Sequence, residues 1–391
     1  MKGQLWGQLI TEMKLIHISD LHLGKRIYDF SMTDEQEYIL NEIIAITDRE
    51  KPEALIIAGD IYDKSVPSSE AVLIFDNFLY KLSQRGLKVF VISGNHDSPE
   101  RIAFGGRLMN TSGVYMSPVY SGKTESVSLS DKYGMVNIYM LPFFKPAAVR
   151  GFFPDSEIIT YTDAVRAAVG QMKLDVTQRN ILIAHQFVTG AARTESEDIS
   201  VGGTDGVDMS VFSEFDYVAL GHIHRAQKCG NERIRYCGTP LKYSFSESGD
   251  QKSVTVIELK EKNDLNIRTV DLCPLHDLFE IKGCYDEISS KKFYENSSFR
   301  ESFLHITLTD EEEIPYAAEK LRVIYNRLMK LDYDNTRTRS RNIVSNDSES
   351  KEQQSPSELF SALYELQNNA PMSCGQMEYV NELIDTIWSD R

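Results

Sequence analysis

Residues 54–63 read ALIIAGDIYD: a strand-length apolar run, then a glycine, then two aspartates three positions apart. Short β-rich runs of this kind recur at residues 14–18, 88–93, 181–184 and 217–220. Stretches of helical period lie between them, and the alternation predicts an α/β sheet domain over residues 13–274. The helix after the first run carries Ile39, Ile43 and Ile46 on one face, with Thr33 and Gln36 in capping-box register at its start.

The residues just after each run carry the chemistry. Asp20 and His22 follow the first, Asp60 and Asp63 the second, and Asn95, His96 and Asp97 the third. His185 follows the fourth, and His222 and His224 the fifth. Groups at the carboxyl ends of strands in an open α/β sheet converge on one crevice, so five junctions point to one site. Imidazole, carboxylate and amide oxygen suit manganese, iron or zinc, and the absence of thiolate argues against structural zinc. A carboxylate shared by two cations offsets their repulsion and holds them about 3.5–4 Å apart, a spacing suited to in-line displacement at phosphorus. Asp60 is the candidate bridge. Glycines in GD, GN and GH let backbone approach where a Cβ would crowd the cluster. Asp97 either tunes His96 or caps the next helix, whose first turn begins near Ser98 and Pro99. His276 and His305, outside the pattern, read as ordinary hydrogen-bonded histidines.

The ordered set D-x-H, G-D-x-x-D, G-N-H-D, a lone His and G-H-x-H resembles the calcineurin-like metallophosphoesterase superfamily. The resemblance implies a β-sandwich flanked by helices, with Asp20, His22, Asp60 and His224 on one metal and Asp60, Asn95, His185 and His222 on the other. It implies a catalytic pair as well, His96 protonating the leaving alkoxide and Asp63 holding its imidazole oriented. Phosphoprotein phosphatases of that superfamily resemble G-D-x-x-D-R-G and G-N-H-E. Here Lys64 and Ser65 follow Asp63 and the third motif ends in Asp97, a poor match.

Outside this domain the texture changes. Residues 275–331 read as a small α+β unit, with a strand at 303–308 and a helix at 315–331 bearing Leu321, Ile324 and Leu328 on one face. Residues 332–354 are polar and aperiodic, the pattern of a linker. Residues 355–391 carry two amphipathic helices with six acids against one base, Arg391, which favours a protein partner over phosphate contact. Folding back onto the catalytic domain is the alternative. Residues 1–12 read as a leader or expression remnant. Five cysteines with no C-x-x-C spacing argue against disulfides and fit a reducing cytoplasm, and no apolar run reaches the roughly 20 residues of a membrane helix. A net charge of −16 is awkward for a DNA-binding protein unless bound cations and a basic partner compensate.

HISDLHLGKR (17–26), GNHDSPERIAFGGRL (94–108), HQFVTGAARTESE (185–197), GHIHRAQ (221–227) and IRYCGTPLKYSFSE (234–247) are similar to the SbcD family, nuclease halves of bacterial SbcCD complexes. That resemblance runs from Met13 to the C-terminus. It implies a capping role for the small domain and two manganese ions, with the C-terminal helices bound to an SbcC-like ATPase in a heterotetramer built on a homodimer. It further implies ATP-dependent 3′–5′ exonuclease action on duplexes and endonuclease action on single strands and hairpins, in repair, recombination and replication. Arg26, Arg101 and Arg107 read equally as phosphate contacts or solvated charges. A standalone phosphodiesterase for small esters is the enzymatic rival, and a metal-bearing scaffold the non-enzymatic one, although such scaffolds lack the acid that His96 supplies.

Overall fold

The computed structural model describes residues 12–197, 205–338, 356–368 and 371–389. The expected leader, apart from Glu12, and the expected linker beyond Thr338 lie outside the described residues. The chain divides into two compact units, 1–277 and 278–391.

The first unit contains two six-stranded sheets. One runs in the order Leu265–Asp271, Ser253–Leu259, Met13–Ile18, Ala54–Ala58, Lys88–Ile92 and Val114–Met116. Its last four strands are mutually parallel, and the two from residues 253–271 close the edge in antiparallel fashion. The other runs Gln227–Cys229, Asn231–Tyr236, Tyr217–Gly221, Arg179–His185, Gly134–Leu141 and Ser126–Asp131, with a parallel centre and antiparallel edge pairs.

Alternate residues of the two sheets meet in a shared core. Leu15, Ile56, Ala58, Phe90 and Ile92 of one pack with Ile138, Ile181, Ile183, Tyr217 and Ala219 of the other. The opposite face of the second sheet, through Leu141, Leu182 and Val218, buries Ala164, Val165 and Ala168 of the helix Tyr161–Gly170. Strands covered on both faces read as unbroken apolar runs, which is why ALIIA and KVFVI lack alternation. The strands ending at Ile18, Ala58 and Ile92 are parallel, as are those ending at His185 and Gly221. These carboxyl ends and the loops that leave them carry the seven expected ligands together with Asp63, His96 and Asp97.

The first helix spans Thr33–Glu50 and buries Ile39, Ile43 and Ile46 as expected. The capping box is absent. Met32, whose thioether offers no oxygen to the helix N–H groups, is the N-cap, and Gln36 turns away to bind the loop that carries His22.

The second unit holds a three-stranded parallel sheet, Leu278–Gly283, Phe303–Leu308 and Leu328–Tyr333, with Ala317–Ile324 as its longest helix before residue 339. The expected helix at 315–331 therefore stops seven residues early. Leu321 and Leu328 satisfy a helical period, but Leu328 is captured by the sheet beside Leu304, and buried Tyr325 ends the helix with its hydroxyl on the Ile288 carbonyl, 2.7 Å away. Asp332 and Tyr333, assigned to the linker by sequence, complete this strand. Two further helices, Pro356–Asn368 and Cys374–Ser389, close the chain.

Candidate metal centre

Four of the eight non-glycine residues with positive φ among the described residues are proposed ligands: Asp20 (54°), His22 (45°), Asp60 (48°) and His222 (100°). Each such conformation costs on the order of 1–3 kcal/mol and persists only where surrounding structure over-determines it. Here that structure is a set of close approaches. A Cβ on Gly94 would lie 2.1 Å from Asp60 Oδ1, and one on Gly221 2.0 Å from the Ala58 carbonyl oxygen, so only glycine lets these loops converge.

The seven expected ligands meet. His22 Nε2 lies 3.2 Å from His224 Nε2 and 3.8 Å from Asp60 Oδ2. The same Asp60 oxygen is 3.3 Å from His185 Nε2, and His185 Nε2 is 3.9 Å from Asp20 Oδ1. Asn95 Oδ1 sits between His185 Nε2 at 3.0 Å and His222 Nδ1 at 2.9 Å. The His222 backbone N–H donates to Asp20 Oδ1 at 3.0 Å. The Asp60 Oδ2 oxygen thus lies within 4 Å of His22 on one side and of His185 on the other.

Asp20 and Asp60 are buried, and among the described residues no Lys or Arg pairs with either. Buried carboxylates without a permanent cationic partner are costly, so this donor set fits bound cations. Burial pushes the Asp20 carboxyl up to about 6 despite His185 and His224, and Asp60 adds to the rise. Burial opposes ionisation of Asp60 too, but His185 and His22 outweigh it and hold that carboxyl well below the usual range. Burial would depress His185, yet Asp60 and Asp20 raise it to about 9. His222 is lowered to about 3 by burial and by His185, and His22 falls well below its ordinary value, chiefly through burial. Without metal, one imidazolium at His185 offsets only one of the two carboxylate charges, while His22 and His222 stay neutral with lone pairs available.

His96 stands on the His22 flank, the ring centroids 4.8 Å apart. Its Nδ1 donates to the main-chain carbonyl of Asp63 at 3.0 Å, and its Nε2 is 4.0 Å from Asp60 Oδ2. The Asp63 carboxylate instead receives Lys25 Nζ at 2.8 Å and lies 3.8 Å from His22 Nδ1. Asp63 therefore touches His96 through its backbone. His22, Asp63 and His96 are also close enough to form a third potential ligand group.

Asp97 does not cap the next helix. Its carboxylate accepts N–H groups from Ile61 (3.1 Å), Tyr62 (2.9 Å) and Gly94 (2.9 Å), tying the GD loop to the GN loop, while Ser98 caps the helix Pro99–Ala103. His276 pairs with Glu35 at 2.6 Å and His305 with Glu280 and Asp332, as ordinary histidines would.

Several supporting residues escaped the sequence reading. The Ser196 hydroxyl donates to Glu247 Oε1 at 2.6 Å, so its oxygen accepts from His224 Nδ1, also at 2.6 Å. That fixes the His224 tautomer with its lone pair on Nε2, facing the centre. Lys252 Nζ reaches Glu247 Oε2 at 2.5 Å and the His224 carbonyl at 2.9 Å. Gln36 Nε2 donates to the His22 carbonyl at 2.7 Å and to the Tyr243 hydroxyl at 3.1 Å. None of these groups follows a strand in sequence, the one signal available.

With this geometry in hand, comparison with known proteins is informative. The calcineurin-like phosphoesterase family matches residues 13–226, and the family described as the type 5 capsule protein repressor C-terminal domain matches residues 274–368. Among curated relatives, the SbcD subunit of the SbcCD nuclease of Staphylococcus epidermidis is 33% identical over 323 residues, 82% of this chain and 85% of that one. Its namesake from Staphylococcus saprophyticus is 31% identical over 323 residues, 82% of this chain and 84% of that one. A dimetal phosphatase from Danio rerio superposes with a TM-score of 0.39 at 10% identity, over 68% of this chain and 99% of that one, too loosely to weigh.

Proposed function

Because the chain belongs to the calcineurin-like phosphoesterase family, and within it to the SbcD group, we propose that it is the nuclease subunit of an SbcCD-like complex that hydrolyses DNA phosphodiesters on two divalent cations. The observation that carries the reading is the meeting of seven ligand-type side chains from five strand ends around Asp60. Asp20, His22, Asp60 and His224 would hold one cation, and Asp60, Asn95, His185 and His222 the other. The cations supply Lewis acidity and an activated nucleophile. Manganese suits this imidazole, carboxylate and amide set.

His96 is the proton donor to the departing alkoxide. With Nδ1–H committed to the Asp63 carbonyl, the exchangeable proton is the one on Nε2, the nitrogen that faces Asp60. The Asp63 main chain orients the ring, and Lys25 holds the Asp63 carboxylate beside it.

The substrates are DNA ends: duplexes degraded exonucleolytically in the 3′–5′ sense, and single strands and hairpins cut internally, in repair, recombination and replication. ATP dependence enters through an SbcC-like ATPase held by the C-terminal helices. Leu359, Phe360 and Leu363 on one, and Tyr379 and Leu383 on the other, are between 44 and 62% exposed, an apolar surface suited to a protein. A partner with basic surface also answers the charge of −16. Hairpin DNA cleavage with manganese, with and without the ATPase and ATP, tests this for the full chain and for one ending at Gln354. The full chain should be stimulated by ATP and the truncated chain should not. Equal stimulation of both would remove the helices from partner binding, and no cleavage by the complex would remove the nuclease reading.

A further inference from the structure

A cavity of about 180 Å³ opens beside Asn95 and His222, on the flank of the centre away from His96. Three aromatic rings line it. Phe143 lies 6.4 Å, centroid to centroid, from Tyr161 and 6.3 Å from His185, and Phe187 lies 6.5 Å from His222. The rings therefore continue directly from the metal-ligating histidines. Lys145, exposed, stands at the same cavity. The one acid in its lining, Asp205, is paired with Arg193 at 2.6 Å, and the Arg193 guanidinium in turn lies 3.6 Å from the Phe187 ring centroid.

Gln186 supplies the independent observation. It lines the cavity, it is 1% exposed, and among the described residues neither its Oε1 nor its Nε2 has a hydrogen-bond partner. Buried amide atoms are almost always paired, so an amide left with both a donor and an acceptor unmet points to a ligand that offers both. A nucleobase edge does so, and because a side-chain amide can present either face, the pairing tolerates any base. Rings that stack on a base face tolerate all four as well.

We propose that this cavity is a nucleoside subsite: it takes the nucleoside that stays attached, through its 5′ oxygen, to the phosphate held at the metals. The inference rests on the phosphodiesterase reading and deepens it. In-line displacement sets the nucleophile and the leaving alkoxide on one axis and leaves the retained 5′ oxygen off it, and the cavity lined by Asn95 and His222 opens beside the centre to take the nucleoside that this oxygen carries. Stacking and the Gln186 amide hold the base, and Lys145 faces the neighbouring phosphate. The enzyme thus grips one unstacked nucleotide, by shape and π-surface, without reading sequence, and Lys145 serves wherever the strand continues on its 3′ side.

The test compares two manganese-dependent substrates of the full chain: the p-nitrophenyl ester of thymidine 5′-phosphate, and methyl p-nitrophenyl phosphate, which has no base. The wild type should favour the nucleoside ester by about 5- to 150-fold in kcat/KM, the range that base stacking supplies. Tyr161→Ala and Gln186→Leu should cut that preference below about 3-fold while leaving methyl ester hydrolysis within about 2-fold of wild type. Lys145→Ala, at an exposed position, guards against misfolding, and should weaken binding of a dinucleotide more than of thymidine 5′-monophosphate. A second readout is equilibrium binding to the manganese-loaded protein, where thymidine 5′-monophosphate should compete at lower concentration than inorganic phosphate, and lose that advantage in the variants. Equal hydrolysis of both esters by the wild type would overturn the subsite and leave the phosphodiesterase standing. Failure to cleave either ester would overturn the phosphodiesterase, and monophosphate binding no tighter than phosphate would then overturn the subsite too.

Discussion

Asp97 offers the sharpest test of how the centre is held together. Its Oδ2 accepts from Ile61 and Gly94, and its Oδ1 from Tyr62, so one buried carboxylate satisfies three backbone donors in two ligand-bearing loops. Burial, with a contribution from Asp60, pushes this carboxyl up to about 6, so at pH 8 it is ionised. A hydrogen bond to a charged acceptor contributes about 1.5–3 kcal/mol, and an orphaned buried N–H is costly in itself. Three such bonds contribute about 4.5–9 kcal/mol, and the raised pKa takes back about 3 kcal/mol at pH 8, so Asp97→Ala should lower the unfolding free energy by about 1.5–6 kcal/mol, an appreciable part of the roughly 5–15 kcal/mol a domain possesses. Asp97→Asn can keep an oxygen at the Oδ2 position, retaining two bonds and setting its amide nitrogen against Tyr62 N–H, for a loss of about 2 kcal/mol. A mere helix cap would lose only about 1 kcal/mol. Urea unfolding of the metal-free protein at pH 8 measures all three. A loss under about 1 kcal/mol for the alanine variant would refute the tie between the loops.

Three other outcomes rest on the same geometry. His96→Ala should retain both cations by elemental analysis and lose about 10²- to 10⁴-fold in turnover, since it touches the leaving group and not the metals; loss of a cation would place His96 among the ligands. Glu247→Ala should weaken manganese binding about 10- to 100-fold by titration calorimetry, because Ser196 loses the acceptor that fixes the His224 tautomer; unchanged affinity would leave the relay without a role. The third is a pH effect. His185 is raised to about 9, so in the metal-free protein its imidazolium stabilises the fold fully below about pH 6.5, and that contribution fades as pH climbs through 9. A cation must displace this proton, so calorimetry in buffers of different ionisation enthalpy should show about one proton released near pH 7.5, falling toward none above pH 10. No proton release at pH 7.5 would contradict the arrangement of His185 between Asp60 and Asp20.

The metal centre was legible because a parallel strand announces both its extent and its end. In ALIIAGDIYD the apolar run stops where the backbone must turn, and the residue after the turn is the candidate ligand. Asn95, His185 and His222 likewise stand at strand ends, and the structure brings both imidazoles within hydrogen-bond distance of the Asn95 amide oxygen. Residues that act at one remove carry no such mark. Gln36 has the spacing of a capping residue, and only the path of the Leu21–His22 loop reveals that its amide is used there. Ser196 and Glu247 are 51 positions apart, and nothing local in either segment announces their meeting at His224. The misread helix failed for a related reason: Leu321 and Leu328 fit a helical period, while the contact that decides, Leu328 against Leu304, lies 24 residues upstream.

The central claim is that Asp60 sits between two cations. Anomalous diffraction from manganese-soaked crystals measures this directly. Two peaks should appear about 3.5–4 Å apart, one within bonding distance of Asp20, His22 and His224, the other of Asn95, His185 and His222, with an Asp60 oxygen reaching both. A single peak, or none at Asp60, would contradict it.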